Sequence, residues 1–249
     1  MNRLYMKDSI FAAPNPSLQP FTFDENVAEV FPDMARRSIP GYEVIISTIG
    51  KLAAEYARDD TFIYDLGCSL GAATVSMRRN LKSRRVKIIA VDNSEAMIRR
   101  CEGILSSYVS DVPAEVRLGD VADMEISNAS VVVLNFVLQF ISKEKRSDII
   151  SNIYNGLCPG GILILSEKLR NEDPVMEELL TQRYFDFKRS NGYSELEISQ
   201  KRTALENVLV SDTWDEIRER LNSAGFSHAD RWFQTYNFCS VVAVKQLQM

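Results

Sequence analysis

Between residues 60 and 170, short apolar runs rich in β-branched residues alternate with helical patterns, and that alternation leaves the chain few folds to choose from. The runs lie at 62–64, 86–91, 114–118, 130–135 and 161–167. Strands separated by helices form right-handed βαβ crossovers, so they build a parallel sheet covered on both faces. Two further β-rich runs, 229–236 and 238–245, are divided by little more than Asn237, which predicts an antiparallel pair joined by a tight turn. The expected fold is α/β and Rossmann-like: a mostly parallel seven-stranded sheet, helices on both faces and a C-terminal antiparallel hairpin.

The first run leads into Asp65-Leu66-Gly67-Cys68-Ser69-Leu70-Gly71, followed by a helical pattern over 74–81. Gly67 can take backbone angles closed to other residues, and Gly71 lets the helix start close to whatever the loop holds. Asp65, at the carboxyl end of its strand, is placed to accept hydrogen bonds from an amine or a hydroxyl. Comparable residues follow the later strands: Asp92 and Asn93, then Asp120 and Val121, then Asn135. An acid after the second strand suits the two hydroxyls of a ribose, and Asp120 beside the Val121 N–H suits the amine and ring nitrogen of adenine. Taken singly, each acid reads equally well as a helix cap, as Asp92-Asn93-Ser94 ahead of Glu95 illustrates. Taken together at successive strand ends, where open α/β sheets bind ligands, they favour the ligand reading.

Residues 1–24, with Pro14, Pro16 and Pro20, read as an irregular N-terminal arm, and 25–249 as a single domain. A short helix is expected over 23–34, with Asp24 as N-cap and Pro32 as terminator. After a turn at 38–42, Ile45, Ile46, Ile49, Leu52 and Ala53 recur at helical spacing and predict a helix packed on the sheet. A charged helical insertion at about 168–214 carries Met176, Leu179, Leu180, Tyr184 and Phe187 on one face, breaks at 191–195 and resumes. The sheet does not need it, so it is read as a substrate cap, a dimerisation element, or both.

The net charge of −5 and pI near 5.2 argue against a protein that grips nucleic acid by its phosphates. The cysteines Cys68, Cys101, Cys158 and Cys239 form no CxxC pair, so no metal site is expected, and free thiols point to a reducing cytoplasm. Residues 1–8 lack the apolar core of a signal peptide. The richest apolar stretch, 129–141, is interrupted by Asn135 and Gln139 and is too short to span a bilayer, so no membrane partner is expected. His228, the sole histidine, reads as an exposed loop residue rather than a catalyst.

The segments DLGCSLG, VDNS, GD, NFVLQF and LCPGGILILSEK resemble the pattern of class I S-adenosylmethionine-dependent methyltransferases over 62–168, with Ser69 where many members carry a second glycine. This refines the expected fold to the Rossmann-like methyltransferase type. Longer stretches, FDENVAEVFPDMARRSIPGYEVII, YDLGCSLGAATVSMRRN and DFKRSNGYSELEISQKRTALENVL, resemble the carboxy-S-adenosyl-L-methionine synthase family between residues 23 and 209. The resemblance implies an enzyme that converts S-adenosylmethionine and prephenate to carboxy-S-adenosyl-L-methionine and phenylpyruvate. A separate tRNA carboxymethyltransferase would then use the product in tRNA wobble-uridine modification. It also implies a homodimer, a cofactor-contacting set of Tyr42, Gly67, Cys68, Ser69, Asp92, Asn93, Asp120, Val121 and Asn135, and Arg202 as the residue that meets the added carboxylate, from the same chain or its partner. A guanidinium suits a carboxylate, which accepts two parallel hydrogen bonds where a methyl accepts none. The implied chemistry is aromatising decarboxylation of prephenate with loss of hydroxide, removal of a methyl proton from the sulfonium, and capture of carbon dioxide by the ylide in a closed site. The competing readings are a methyltransferase with a small-molecule or tRNA acceptor, and a binding module that holds the cofactor without turnover.

Overall fold

The computed structural model describes residues 6–82 and 85–247. Residues 1–5, on which the reading of the extreme N-terminus partly rests, lie outside the described residues. Strands β1 (Thr61–Leu66), β2 (Val86–Asp92), β3 (Ala114–Leu118), β4 (Ala129–Asn135), β5 (Leu157–Lys168), β6 (His228–Thr235) and β7 (Phe238–Val244) form one sheet in the order β3-β2-β1-β4-β5-β7-β6. The first five pair in parallel; β7 runs antiparallel between β5 and β6. The chain winds outward from β1 to β3 and then returns to the other side of β1. The order therefore reverses between β1 and β4, which opens a crevice at their carboxyl ends.

Alternation along the central strands divides the core into two layers. Val131 and Val133 of β4 face α2 (Tyr42–Tyr56) and α3 (Ala72–Asn80), where Ile45, Ile49 and Met77 are fully buried. Val132 and Leu134 face the opposite way, toward Ile150 and Ile153 of α5 (Lys143–Gly156) and Leu221 of α8 (Trp214–Ala224). The unbroken apolar run Val131–Leu134 is the signature of burial on both faces, and each such side chain removed from water contributes about 1.5–3 kcal/mol. The helix α4 (Glu95–Ser106) covers β2 and β3 through Ile98, Cys101 and Leu105.

Three local expectations are corrected. Pro32 does not end the first helix: α1 spans Glu25–Ser38 with Pro32 inside it, while Asp24 does cap it by accepting from Val27 N at 2.9 Å. An interior proline costs about 3 kcal/mol, but the stripe Val27, Val30, Met34 and Ala35 is buried on both sides of Pro32, and that burial offsets the penalty. β5 begins at Leu157 rather than Gly161, because Leu157 pairs with Ala129 across a bulge that absorbs the Pro159-Gly160 irregularity. His228 is exposed as expected, but it opens β6 instead of lying in a loop.

The insertion forms α6 (Pro174–Ser190) and α7 (Glu195–Leu205), the latter started by a capping box between Ser194 and Glu197. The described part of the arm is irregular and is tied to α7. The Gln200 side-chain amide donates to the carbonyls of Phe11 (2.9 Å) and Ala13 (2.8 Å), its oxygen accepts from Asn15 N at 2.7 Å, and Phe21 N donates to Ala204 O at 2.8 Å. Arm and insertion together roof the crevice at the switch point. Among the described residues, no helix is long and apolar enough to cross a membrane.

Candidate active site

The crevice holds a cavity of about 460 Å³. Its floor is the carboxyl edge of the sheet, contributed by Asp65, Gly67, Cys68, Ser69, Asp92, Asn93, Asp120, Val121 and Asn135; Tyr42 lines it from the start of α2. These residues span 94 positions of sequence from Tyr42 to Asn135, and the strand order brings them to one rim. Phe21 and Phe23 close the cavity from the arm, Phe31 from α1, Tyr184 from α6, and Lys201 and Leu205 from α7.

The loop after β1 is held in a strained shape. Gly67 has φ +74° and Gly71 has φ +78°, and a Cβ on Gly71 would lie 2.8 Å from Cys101 Sγ. Ser69 also sits in the left-handed region, at φ +50°, which a glycine would adopt without strain. The amides of Gly67 and Cys68 both donate to Val91 O, at 2.8 and 2.9 Å, and Ser69 N donates to Asp92 Oδ2 at 2.9 Å. A second left-handed residue, Phe136 at φ +63°, follows β4 on the same rim. Non-glycine residues rarely take this conformation, and two of those that do here line this one cavity.

The acids divide between capping and display. Ser94, not Asp92, caps α4 by accepting from Met97 N at 3.2 Å. Asp92 therefore accepts from Ser69 N and Ser94 N, one on each oxygen, and keeps unused lone pairs toward the cavity. Asp120 does act as a cap, accepting from Ala122 N at 2.8 Å and starting the 3-10 turn Val121–Asp123, yet it still lines the cavity. Asp65 accepts from Thr74 Oγ1 at 2.5 Å; burial pushes its carboxyl up to about 6. Burial and the nearby Asp65 raise the Tyr42 phenol, so it remains a donor at neutral pH. A hydrogen bond with Cys101, reinforced by burial, holds the Cys68 thiol well above its ordinary value, so Cys68 offers no thiolate nucleophile.

The cavity tests directly whether these residues suit S-adenosylmethionine. Asn135 Oδ1 is buried without a hydrogen-bond partner, an acceptor that a ligand ammonium or hydroxyl would satisfy. With Asp65, Asp92 and Asp120 on the same rim, the donor-poor, acceptor-rich floor fits a cationic ligand with ribose hydroxyls and an amino group.

Arg202 does not join this set. It is exposed on α7 with its guanidinium 5.9 Å from the Phe185 ring centroid, and it is not among the residues lining the cavity of its own chain. Conversely, the sequence reading passed over several groups at the site. Glu167 is buried and accepts from Leu138 N and Gln139 N, both at 3.0 Å, which fixes the turn Leu138–Phe140 against the cavity. Burial drives its carboxyl up to about 8, with Arg146 opposing the shift. Lys168, Lys201 and Tyr184 line the cavity itself, whereas Glu167 acts through that turn. One signal was available for Glu167 and Lys168: a Glu-Lys pair ending an otherwise apolar strand.

Known proteins share these features to different depths. The family described as "Methyltransferase domain" matches residues 63–161. The chain is 56% identical over 239 residues to "Carboxy-S-adenosyl-L-methionine synthase" of Shewanella putrefaciens, covering 96% of this chain and 98% of that protein. It is 54% identical over 240 residues to the protein of the same name from Pseudoalteromonas translucida, covering 96% and 99%. Among solved structures, human N-acetylserotonin methyltransferase in complex with SAM aligns with TM-score 0.60 at 19% identity, covering 89% of this chain and 55% of that one. That likeness extends to the fold alone.

Proposed function

The chain belongs to the carboxy-S-adenosyl-L-methionine synthase family and uses S-adenosylmethionine as a substrate, and on that premise we propose that prephenate is its second substrate and carboxyl source. The observation that carries this reading is one cavity lined by two unlike sets of groups, the acids Asp65, Asp92 and Asp120 and the lysines and aromatic rings Lys168, Lys201, Tyr184 and Phe238. Lysines and rings suit an anionic, ring-bearing second substrate such as a carboxyl donor.

In this reading Asp92 and Asn93 take the ribose hydroxyls. Asp120 and the Val121 N–H take the adenine amine and ring nitrogen. Asn135 and the Tyr42 hydroxyl hold the amino-acid end, against the Gly67–Ser69 loop. The net reaction balances as S-adenosylmethionine plus prephenate giving carboxy-S-adenosyl-L-methionine, phenylpyruvate and water, the departing hydroxide accepting the methyl proton. The aromatic roof of Phe21, Phe23 and Phe31 keeps bulk water from the carbon dioxide in transit. Arg202 belongs to a second copy's site: it is exposed, and α6 nearby presents Val175, Met176 and Leu179 to solvent, a face suited to a homodimer. The enzyme works in the cytoplasm, where its four cysteines stay reduced, and hands its product to a separate tRNA carboxymethyltransferase without touching nucleic acid itself.

Incubation with S-adenosylmethionine, with and without prephenate, followed by mass spectrometry of the nucleoside product tests this. A carboxylated sulfonium that requires prephenate is expected. Accumulation of S-adenosylhomocysteine without it would overturn the proposal in favour of methyl transfer.

A further inference from the structure

The cavity that carries Asp65, Asp92 and Asp120 is also lined by groups of the opposite charge. Lys168, the last residue of β5, lines the cavity with its Nζ 5.2 Å from the Tyr184 ring centroid. Its place is set by the sheet: Lys168 lies opposite Phe238 in the β5–β7 register, and its amide donates to Gln139 Oε1 at 2.8 Å. Among the described residues, no carboxylate lies within ion-pair distance of its ammonium. Burial lowers its pKa and the Arg202 guanidinium adds to this, while Glu177 of α6 opposes both from further away with a carboxylate that already accepts from Asn171 N at 2.7 Å.

The other cations of this region add to the imbalance. Lys201 also lines the cavity, but its Nζ is engaged by Ser38 Oγ at 3.1 Å and Asp8 Oδ2 at 3.5 Å. Lys188 lies 4% exposed between the Tyr184 and Tyr193 rings; burial, then Lys201 and Lys168, press its ammonium down to about 7. Two lysines thus face the cavity with Lys188 close by, and among the described residues Asp8 is the one acid paired with any of the three. A cation removed from bulk water without a counter-charge is unfavourable, and a ligand anion relieves the cost. The wall beside Lys168 is aromatic, with the Tyr184 and Phe238 centroids 5.0 Å apart and those of Phe136 and Phe238 6.0 Å apart.

We propose that Lys168 binds a carboxylate of the second substrate, a small dicarboxylate whose six-membered ring packs between Tyr184, Phe238 and Phe136. This rests on the reading that the carboxyl source is prephenate. It assigns the two sets of lining groups to two substrates: acids for the sulfonium compound, lysine and rings for the carboxyl donor. Lys168 also fixes which way the donor faces, with its ring against the rings and its reacting carbon toward the floor.

The test compares Lys168→Met, which keeps length without charge, with Lys168→Arg. Turnover is followed with prephenate varied at saturating S-adenosylmethionine. Calorimetry gives the affinity for S-adenosylmethionine and, with that ligand bound, for phenylpyruvate, the ring-bearing carboxylate product. For Lys168→Met, KM for prephenate and Kd for phenylpyruvate should both rise about 10- to 100-fold, the loss of one charged hydrogen bond, with the affinity for S-adenosylmethionine within about twofold of wild type. Lys168→Arg should recover most of the loss, which a merely structural lysine would not explain. Equal phenylpyruvate affinity in wild type and Lys168→Met, or no phenylpyruvate binding to either, overturns the assignment. Wild-type protein that makes no carboxylated product from prephenate overturns the wider functional reading instead, while a Lys168-dependent phenylpyruvate Kd would still establish the subsite.

Discussion

Ser69 N–H donates to the Asp92 carboxylate at 2.9 Å, so the loop after β1 is held in its left-handed shape by a residue at the end of β2. The strain at Ser69 and the charge at Asp92 are therefore coupled. Ser69→Gly should relieve the strain and leave stability unchanged or raised by up to about 1 kcal/mol. Asp92→Ala should release the loop and lower both stability and affinity for S-adenosylmethionine. Thermal unfolding and calorimetry on the two variants measure the contrast; equal loss in both would mean that the serine hydroxyl, not the Asp92 anchor, matters.

Asn135 carries the unpartnered acceptor of the cavity. Replacing it with Ala removes a buried polar atom that the free protein leaves unsatisfied, so the unliganded protein should unfold at the same temperature or slightly higher. Affinity for S-adenosylmethionine should fall about 10- to 100-fold, the range for a hydrogen bond to a charged group. A drop in unliganded stability with unchanged affinity would contradict the ligand role.

Asp65 sets a pH dependence. Burial raises its carboxyl from 3.8 to about 6, so between those values the folded protein holds a proton that the unfolded chain has released, and this group's contribution to stability falls as pH rises through that window. A cationic ligand favours the ionised form. Binding of S-adenosylmethionine should therefore tighten as pH rises, with Kd at pH 5 roughly tenfold weaker than the plateau above pH 7. Calorimetry across that range checks it, and Asp65→Asn should flatten the profile.

The Gln200 amide is the main fastener of the arm, with three hydrogen bonds to the backbone at Phe11, Ala13 and Asn15. Gln200→Ala should leave the sheet intact while exposing residues 10–20 to rapid amide exchange and limited proteolysis. Because Phe21 and Phe23 roof the cavity, the same variant should also lose coupling between prephenate consumption and carboxylated product as water enters. Unchanged exchange at Asn15 would place the fastening elsewhere.

Local pattern alone determined the alternating strands, the turn from Gly67 to Gly71 and the polar residues at successive strand ends. Period, turn chemistry and strand direction act over a few residues, and a parallel sheet carries every such strand end to the same edge. The course of α1 through Pro32 was decided by tertiary burial, which outweighed a local breaking signal. Ser94 caps α4 by its place next to Glu95, whereas the Ser69 amide that engages Asp92 comes from a distant loop. Only the folded chain brings Lys168, Tyr184, Lys201 and Phe238 to one wall, from β5, α6, α7 and β7, and only it leaves Arg202 outside its own cavity. Those placements depend on contacts between residues far apart in sequence, and no periodicity or spacing within a segment records them.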